Sequence, residues 1–408
     1  MRNGKRSILL IIGGGIAAYK SIELIRELSA RSIDAKVILT KAGSQFVTAL
    51  TVGSISNNKT YTDLFDLTDE AEMGHIQLSR SADLVVIAPA TADLLAKMAN
   101  GLADDLASTA LLATDKPVLA APAMNVQMWR HAATQRNMAR LRDDGVRFIG
   151  PNEGDMACGE FGPGRMAEPR EIANAIEDWF VSHAEGPLSG FHALVTAGPT
   201  HEPLDPVRYI ANRSSGKQGY AIASALARMG ARVTLVSGPT NLPTPPGVKI
   251  FRIETARQML EPVETSLPAD IAVFCAAVSD YRPEIETGHK IKKERGGLSS
   301  IALAENPDIL KTVSHLEHNR PRLVIGFAAE TDDVISHARA KRIRKNCDWI
   351  VANNVSAGEA CAMGGELNAV AIITADGEEM WPTMPKADVA QRLAEKIADA
   401  VNNGKKSD

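Results

Sequence analysis

Basic tracts, membrane-length apolar runs and paired cysteines are all missing from this 408-residue chain. Lys and Arg number 45 against 49 Asp and Glu, for a formal net charge of −4. That balance gives no electrostatic case for a nucleic-acid partner. The longest apolar runs are too short to cross a bilayer, so no membrane role is expected. The start, Met1-Arg2-Asn3-Gly4-Lys5-Arg6, runs straight into a strand pattern without a cleavage site, and a cytoplasmic location is the expectation. The four cysteines, Cys158, Cys275, Cys347 and Cys361, show no CxxC spacing and no accompanying histidine cluster. Neither a zinc site nor a disulfide framework is indicated.

What the chain does have is an ordinary globular composition, 45% apolar and 23% charged, and enough length for about two domains. Short apolar runs alternate with helical patterns throughout. Strands are expected at 6–12, 36–39, 84–88, 117–121 and 146–149, with a helix near 171–182 closing this half. Ala184-Glu185-Gly186-Pro187-Leu188-Ser189-Gly190 reads as a linker. The alternation restarts with strands at 193–196, 232–236, 271–275, 323–327 and 349–352. An edge hairpin is expected at 369–374, with Asp376-Gly377 after it, and a last helix at 386–401. Uninterrupted runs of Val, Ile, Leu and Ala suit strands covered on both faces. The expectation is an α/β protein of two doubly wound, mostly parallel-sheet, Rossmann-like domains, 1–190 and 191–408.

Two unlike nucleotide-type openings stand at the heads of these halves. The first is Ile11-Ile12-Gly13-Gly14-Gly15-Ile16-Ala17-Ala18, a strand end leading into a helix as a phosphate-cradling turn requires. Gly13-x-Gly15-x-x-Ala18 fits the loose dinucleotide fingerprint. After the second strand, however, Leu39-Thr40-Lys41-Ala42 stands where an acidic residue would bind the ribose. NAD is disfavoured; a mononucleotide phosphate and a ligand-free glycine turn both remain open. Ala88-Pro89-Ala90-Thr91 and Ala121-Pro122-Ala123-Met124-Asn125 also follow strands, where open α/β sheets bind ligands. The glycine-rich stretch from Met156 to Pro169 holds Cys158 and several charges, the composition of a flap carrying a reactive group.

The second opening is Leu194-Val195-Thr196-Ala197-Gly198-Pro199-Thr200, continuing through a long polar loop to Asn212-Arg213-Ser214-Ser215-Gly216-Lys217. It fails the P-loop test, because Ala211 stands where the first glycine belongs and Gln218 where Ser or Thr belongs. A strand, a glycine turn and a helix start still make an approach for an anion. Ala276-Ala277-Val278-Ser279-Asp280 closes a later strand, and Lys290-Ile291-Lys292-Lys293 follows. That lysine run also reads as a solvated face.

His75 in Gly74-His75-Ile76, the Pro122–Asn125 motif and the Cys158 stretch together resemble the flavin-dependent cysteine decarboxylases. With the second half included, the whole chain resembles the bifunctional phosphopantothenoylcysteine decarboxylase/phosphopantothenate–cysteine ligases of bacterial coenzyme A synthesis. For the first half the resemblance implies FMN bound by Gly14, Gly15, Ile16, Ala17, Thr40, Ala88, Pro89, Ala90, Thr91 and Met124. It implies that His75 acts at the substrate carboxylate, that Asn125 grips that carboxylate or amide, and that Cys158 supplies a proton. For the second half it implies CTP, with Mg²⁺ held mainly through the phosphates. The carboxylate of 4′-phosphopantothenate would attack the α-phosphate, and cysteine's amine would then displace CMP from the acyl-cytidylate. Asn212 would contact the phosphopantothenate. The nucleotide would meet Asp280, Lys290, Phe327, Lys341, Lys345 and the turn Asn306-Pro307-Asp308-Ile309-Leu310. Lys290 would act as a catalytic cation on the triphosphate. Cys275 and Ala276 fall in the same binding stretch, and Cys275 itself reads as packing. The resemblance further implies a homo-oligomer, a dodecamer of decarboxylase trimers joined through ligase dimers.

Without the resemblance, His75 reads first as a structural histidine and Asn125 equally well as a helix cap, whereas an inert Cys158 is disfavoured, since a glycine-rich polar loop is a poor place to bury a thiol. Two other functions are weighed: an FMN-binding regulatory or interaction flavoprotein without decarboxylase activity, and a nicotinamide oxidoreductase. Retention of His75, Asn125 and Cys158 argues against the first, and the missing ribose acid against the second.

Overall fold

A computed structural model describes residues 6–64, 75–156, 159–291, 300–330, 333–354 and 365–403. The chain folds as two compact units, Met1–Glu177 and Asp178–Asp408.

The first unit is built on β1 (Ser7–Ile12), β2 (Asp34–Leu39), β3 (Thr60–Tyr61), β4 (Leu84–Ala90), β5 (Val118–Pro122) and β6 (Arg147–Phe148). These lie side by side in the order β3-β2-β1-β4-β5-β6, and every pairing is parallel. Every residue of β4 is buried, as expected of a strand with helices on both faces. The 3-2-1-4-5-6 order is that of doubly wound nucleotide folds, whose binding crevice lies where the strand order reverses. Here that point lies between the carboxyl ends of β1 and β4. Past the sheet, β7 (Asn152–Asp155) and β8 (Phe161–Arg165) form an antiparallel pair. Five of the fourteen residues from Met156 to Pro169, the stretch expected as a flexible flap, are therefore ladder.

The second unit contains β9 (His192–Ala197), β10 (His201–Asp205), β11 (Arg208–Ala211), β12 (Arg232–Ser237), β13 (Val248–Arg252), β14 (Ile271–Phe274) and β15 (Tyr281–Pro283). It continues with β16 (Leu303–Glu305), β17 (Leu323–Glu330), β18 (Trp349–Asn354), β19 (Leu367–Asn368), β20 (Val370–Ile373), β21 (Glu378–Met380) and β22 (Met384–Pro385). Its main sheet runs β13-β12-β9-β14-β17-β18-β20-β21. Six parallel strands repeat the order of the first unit, and an antiparallel edge pair follows. Period-two alternation divides the strands between two cores. Ala193, Val195, Ile271 and Val273 face the core packed under helices Lys217–Arg228 and Lys386–Asn403. Leu194, Ala272 and Phe274 face the other, under helices Ala256–Thr265, Ile309–Ser314 and Val334–Lys345.

Two local expectations differ from the structure. The polar loop after Gly198 is in large part the β10–β11 hairpin, turned at Pro206-Val207. Asp at the first position and Pro at the second are what a tight turn favours. The stretch Ala184–Gly190, read as a linker, is packed into the second unit. Leu188 is fully buried and its amide donates to Met229 O at 3.0 Å.

Candidate active sites

In the first unit a cavity of about 1290 Å³ opens at the crevice between β1 and β4. The three glycines after β1 have different spatial constraints. A Cβ on Gly13 would stand 2.4 Å from Pro89 O, and one on Gly14 2.2 Å from the Cβ of Ala42. One on Gly15 would meet nothing within 4 Å, so this residue leaves the open space of the cradle. The amide of Gly13 donates to Pro89 O at 3.2 Å, joining the ends of β1 and β4. Thr40 Oγ donates to Ile12 O and accepts from the Gly43 amide, both at 3.0 Å. Thr91 caps helix Ala92–Asn100 by accepting from Leu94.

Gly14, Gly15, Ile16, Ala17, Thr40, Thr91, Met124 and Asn125 all line this cavity. Ala88, Pro89 and Ala90 do not. Ala88 and Ala90 are fully buried, and the three carbonyls accept from Ser21 Oγ, Gly13 N and Ala123 N respectively. They build the cradle from behind. Asn125 has both ends of its amide committed. Its Oδ1 accepts from Met128 N at 2.9 Å, capping helix Val126–Arg130, and its Nδ2 donates to Glu160 Oε2 at 2.8 Å. His75 begins the helix His75–Ser81, but its side chain, like all of Cys158, lies outside the described residues.

Cations unmarked in the sequence also reach this wall. Lys20 and Arg165 line it and share Glu168, at 2.8 and 3.3 Å. Lys97 lies between Asp104 at 2.9 Å and Asp105 at 3.0 Å. Hydrogen bonds to Asp104 and Asp105 push its pKa up against the opposing effect of burial. Lys20, one residue into the helix after the glycines, is visible in sequence as a basic residue near a phosphate turn. Lys97 is not, since its partners come from the next helix start.

In the second unit a cavity of about 620 Å³ lies at the crevice between β9 and β14. Ala276, Asp280, Pro307, Asp308, Ile309, Leu310, Phe327, Lys341 and Lys345 line it, nine of the residues singled out from sequence. Lys341 Nζ donates to Phe327 O at 2.9 Å, and Lys345 is ion-paired to Asp308. Burial pushes the Asp308 carboxyl up. Hydrogen bonds from Lys345 and the Lys311 amide, with the charges of both lysines, outweigh this and hold it below the usual carboxylate range. Thr196, Asn306 and Arg344 also line the cavity. Arg344 follows Lys341 at i+3, a spacing that puts both on one helix face.

Three sequence-derived residues lie off this wall. Cys275 is the correction. Phe274 and Ala276 line the cavity, and strand alternation turns the residue between them to the opposite core. Burial pushes its thiol up to about 12, so it is a packing residue. Asn212 stands at the rim, where its Nδ2 donates to Val278 O at 2.9 Å. Lys290 is exposed beside Ile291, which is tied to the β10–β11 hairpin.

Two family models divide the chain within about ten residues of where its fold does. One, described as flavoprotein, matches residues 1–181; the other, DNA/pantothenate metabolism flavoprotein C-terminal domain, matches 188–401. The chain is 47% identical over 397 residues to the coenzyme A biosynthesis bifunctional protein CoaBC of Escherichia coli strain K12, covering 96% of each. The Bacillus subtilis protein of the same name is 43% identical over 396 residues, 96% of this chain and 97% of that one. The chain belongs to the CoaBC family. Among solved structures, the C-terminal domain of a CoaBC protein is 37% identical, covering 53% of this chain and all of that one, with a TM-score of 0.44. A CoaBC family member carries a flavoprotein half and a DNA/pantothenate metabolism half, and each half here has a crevice of its own.

Proposed function

We propose that the chain performs two consecutive steps of coenzyme A biosynthesis. The carboxy-terminal unit joins cysteine to 4′-phosphopantothenate at the expense of CTP, and the amino-terminal unit decarboxylates the product to 4′-phosphopantetheine. One observation carries this reading. Two units of one strand order each open a cavity at the switch point, lined by eight of the residues implied for the first site and nine of those implied for the second.

The first cavity suits flavin mononucleotide. It exceeds the roughly 300–1,000 Å³ usual for small-ligand sites, and Gly15 leaves the turn open for close approach of a phosphate. Gly14, Gly15, Ile16 and Ala17 would hold the group with Thr40, Thr91 and Met124. When bound, FMN supplies reversible hydride acceptance, which amino-acid side chains lack. Asn125 grips the substrate carboxylate or amide with the Nδ2 hydrogen not given to Glu160, His75 acts at that carboxylate, and Cys158 supplies the proton.

In the second unit, 4′-phosphopantothenate attacks the α-phosphate of CTP and pyrophosphate leaves. Cysteine's amine then attacks the acyl carbon and CMP leaves. Activation is required because a free carboxylate is a very poor acyl donor at neutral pH. Lys341, Lys345 and Lys290 offset triphosphate charge, Asp280 and the Asn306–Leu310 turn frame the nucleotide, and Mg²⁺ enters on the phosphates. Asn212 contacts the acid. Assembly into a cytoplasmic homo-oligomer, decarboxylase trimers joined through ligase dimers, is carried over from the family resemblance.

Incubation with 4′-phosphopantothenate, cysteine, CTP and Mg²⁺, followed by mass analysis, tests the reading. Appearance of 4′-phosphopantetheine is expected. A flavin-coloured protein that forms neither it nor its acyl-cysteine precursor would favour a binding flavoprotein instead.

A further inference from the structure

We propose that Asp205 is a positioning residue for ligation, a latch that fixes Lys290 in register with the hairpin that leads into Asn212. The proposal rests on the CTP-dependent reading above and names a residue that reading does not use.

Asp205 ends β10, and its side chain is fully buried at the hairpin tip. Its two oxygens serve different structures. Oδ1 accepts from the amides of Val207 and Arg208, both at 2.9 Å, which builds the turn. Oδ2 accepts from Arg208 Nε at 3.0 Å and from its Nη2, and from the amide of Ile291 at 3.2 Å, 86 residues away. Arg208 Nη2 in turn donates to Ile291 O at 3.1 Å. Carboxylate and guanidinium therefore clasp both polar groups of one peptide residue. A second tether lies four residues back, where Thr287 N and Oγ donate to Leu204 O at 3.3 and 3.2 Å.

Lys290 immediately precedes the clasped residue and is itself exposed. At the opposite end of the same hairpin, Asn212 follows β11 and holds Val278, a cavity-wall residue, through its carbonyl. One rigid hairpin thus spans from the rim of the nucleotide cavity to the cation assigned to the triphosphate. Arg208, and to a lesser degree the three amides, hold the Asp205 carboxyl well below the usual carboxylate range in spite of its burial. The latch stays charged throughout neutral pH.

Asp205→Asn separates the two jobs. An asparagine keeps an oxygen for the turn amides but places an amino group where Oδ2 stood, which cannot accept from Arg208 or Ile291. Full-length protein would be assayed for ligation as wild type, D205N, K290A and the double variant. Unfolding temperatures and decarboxylation of supplied 4′-phosphopantothenoylcysteine would be followed alongside. D205N should raise the CTP KM about tenfold, the worth of one charge-assisted hydrogen bond, while the cysteine KM moves less than about twofold. K290A added to D205N should raise the CTP KM much less than K290A does alone, because the two act as one unit. An unchanged CTP KM, full additivity with K290A, or a uniform loss that tracks a fallen unfolding temperature would overturn the latch. A wild-type chain that ligates nothing while remaining folded would overturn the ligase reading and the latch with it.

Discussion

Three demands meet on the carboxylate of Asp308. It caps helix Ile309–Ser314 by accepting from Lys311 N at 3.0 Å, pairs with Lys345, and lines the nucleotide cavity. Because burial is outweighed by the two lysines, its pKa is depressed. Its stabilisation is therefore complete above the ordinary carboxylate value of roughly 4 and is lost as pH falls through the lower folded value. Asp308→Asn keeps the cap, since Asn caps as well as Asp, and removes only the charge. The gap in unfolding temperature between wild type and this variant should be constant from neutral pH down to about 5 and close below about 4. A gap that widens on acidification would contradict the depressed pKa.

Between β1 and its helix, three adjacent glycines give three different forecasts. Gly14→Ala places a methyl 2.2 Å from the Cβ of Ala42, so the turn must shift, at a cost of about 1–3 kcal/mol. Both the unfolding temperature and the flavin absorbance of purified protein should fall. Gly15 is extended, φ −178°, with open space around it. Gly15→Ala should leave the unfolding temperature of the flavin-stripped protein unchanged yet weaken flavin binding, as titration of that protein would read. Equal stability losses in the two variants would contradict the open cradle. The β10–β11 hairpin makes the complementary point. Its Asp205-Pro206 turn signal is present in the sequence, yet His201–Ala211 reads as loop there because short, irregular strands give little periodicity.

Across the whole chain, two crevices of one topology but different linings imply separable chemistry. Cys158→Ser should retain flavin and lose decarboxylation, so that incubation with all ligase substrates accumulates 4′-phosphopantothenoylcysteine. Asn212→Asp should do the reverse, abolishing ligation by placing a negative charge against an acid substrate and the Val278 carbonyl, with decarboxylation of supplied intermediate intact. Loss of both activities in either folded variant would sink the two-site reading. In this order the carboxy-terminal unit makes what the amino-terminal unit consumes, so chain order runs opposite to reaction order.

Local composition by itself determined the alternation of strands and helices, because buried parallel strands must be apolar along their length. It also determined the two openings, since tight turns at helix starts need glycine; the nine cavity residues were implied by the family resemblance and not by composition. Tertiary structure alone decided the rest. Cys275 and Ala276 are neighbours in sequence just past β14, but they turn to opposite faces of the sheet and pack against different cores. Ala88, Pro89 and Ala90 read as ligand contacts in sequence and are support in the fold, because their carbonyls are taken by Ser21, Gly13 and Ala123. Asp205 and Ile291 stand 86 residues apart, and no local pattern joins them. Hydrogen-bond partners across such separations exist only once the sheet has brought the strand ends together.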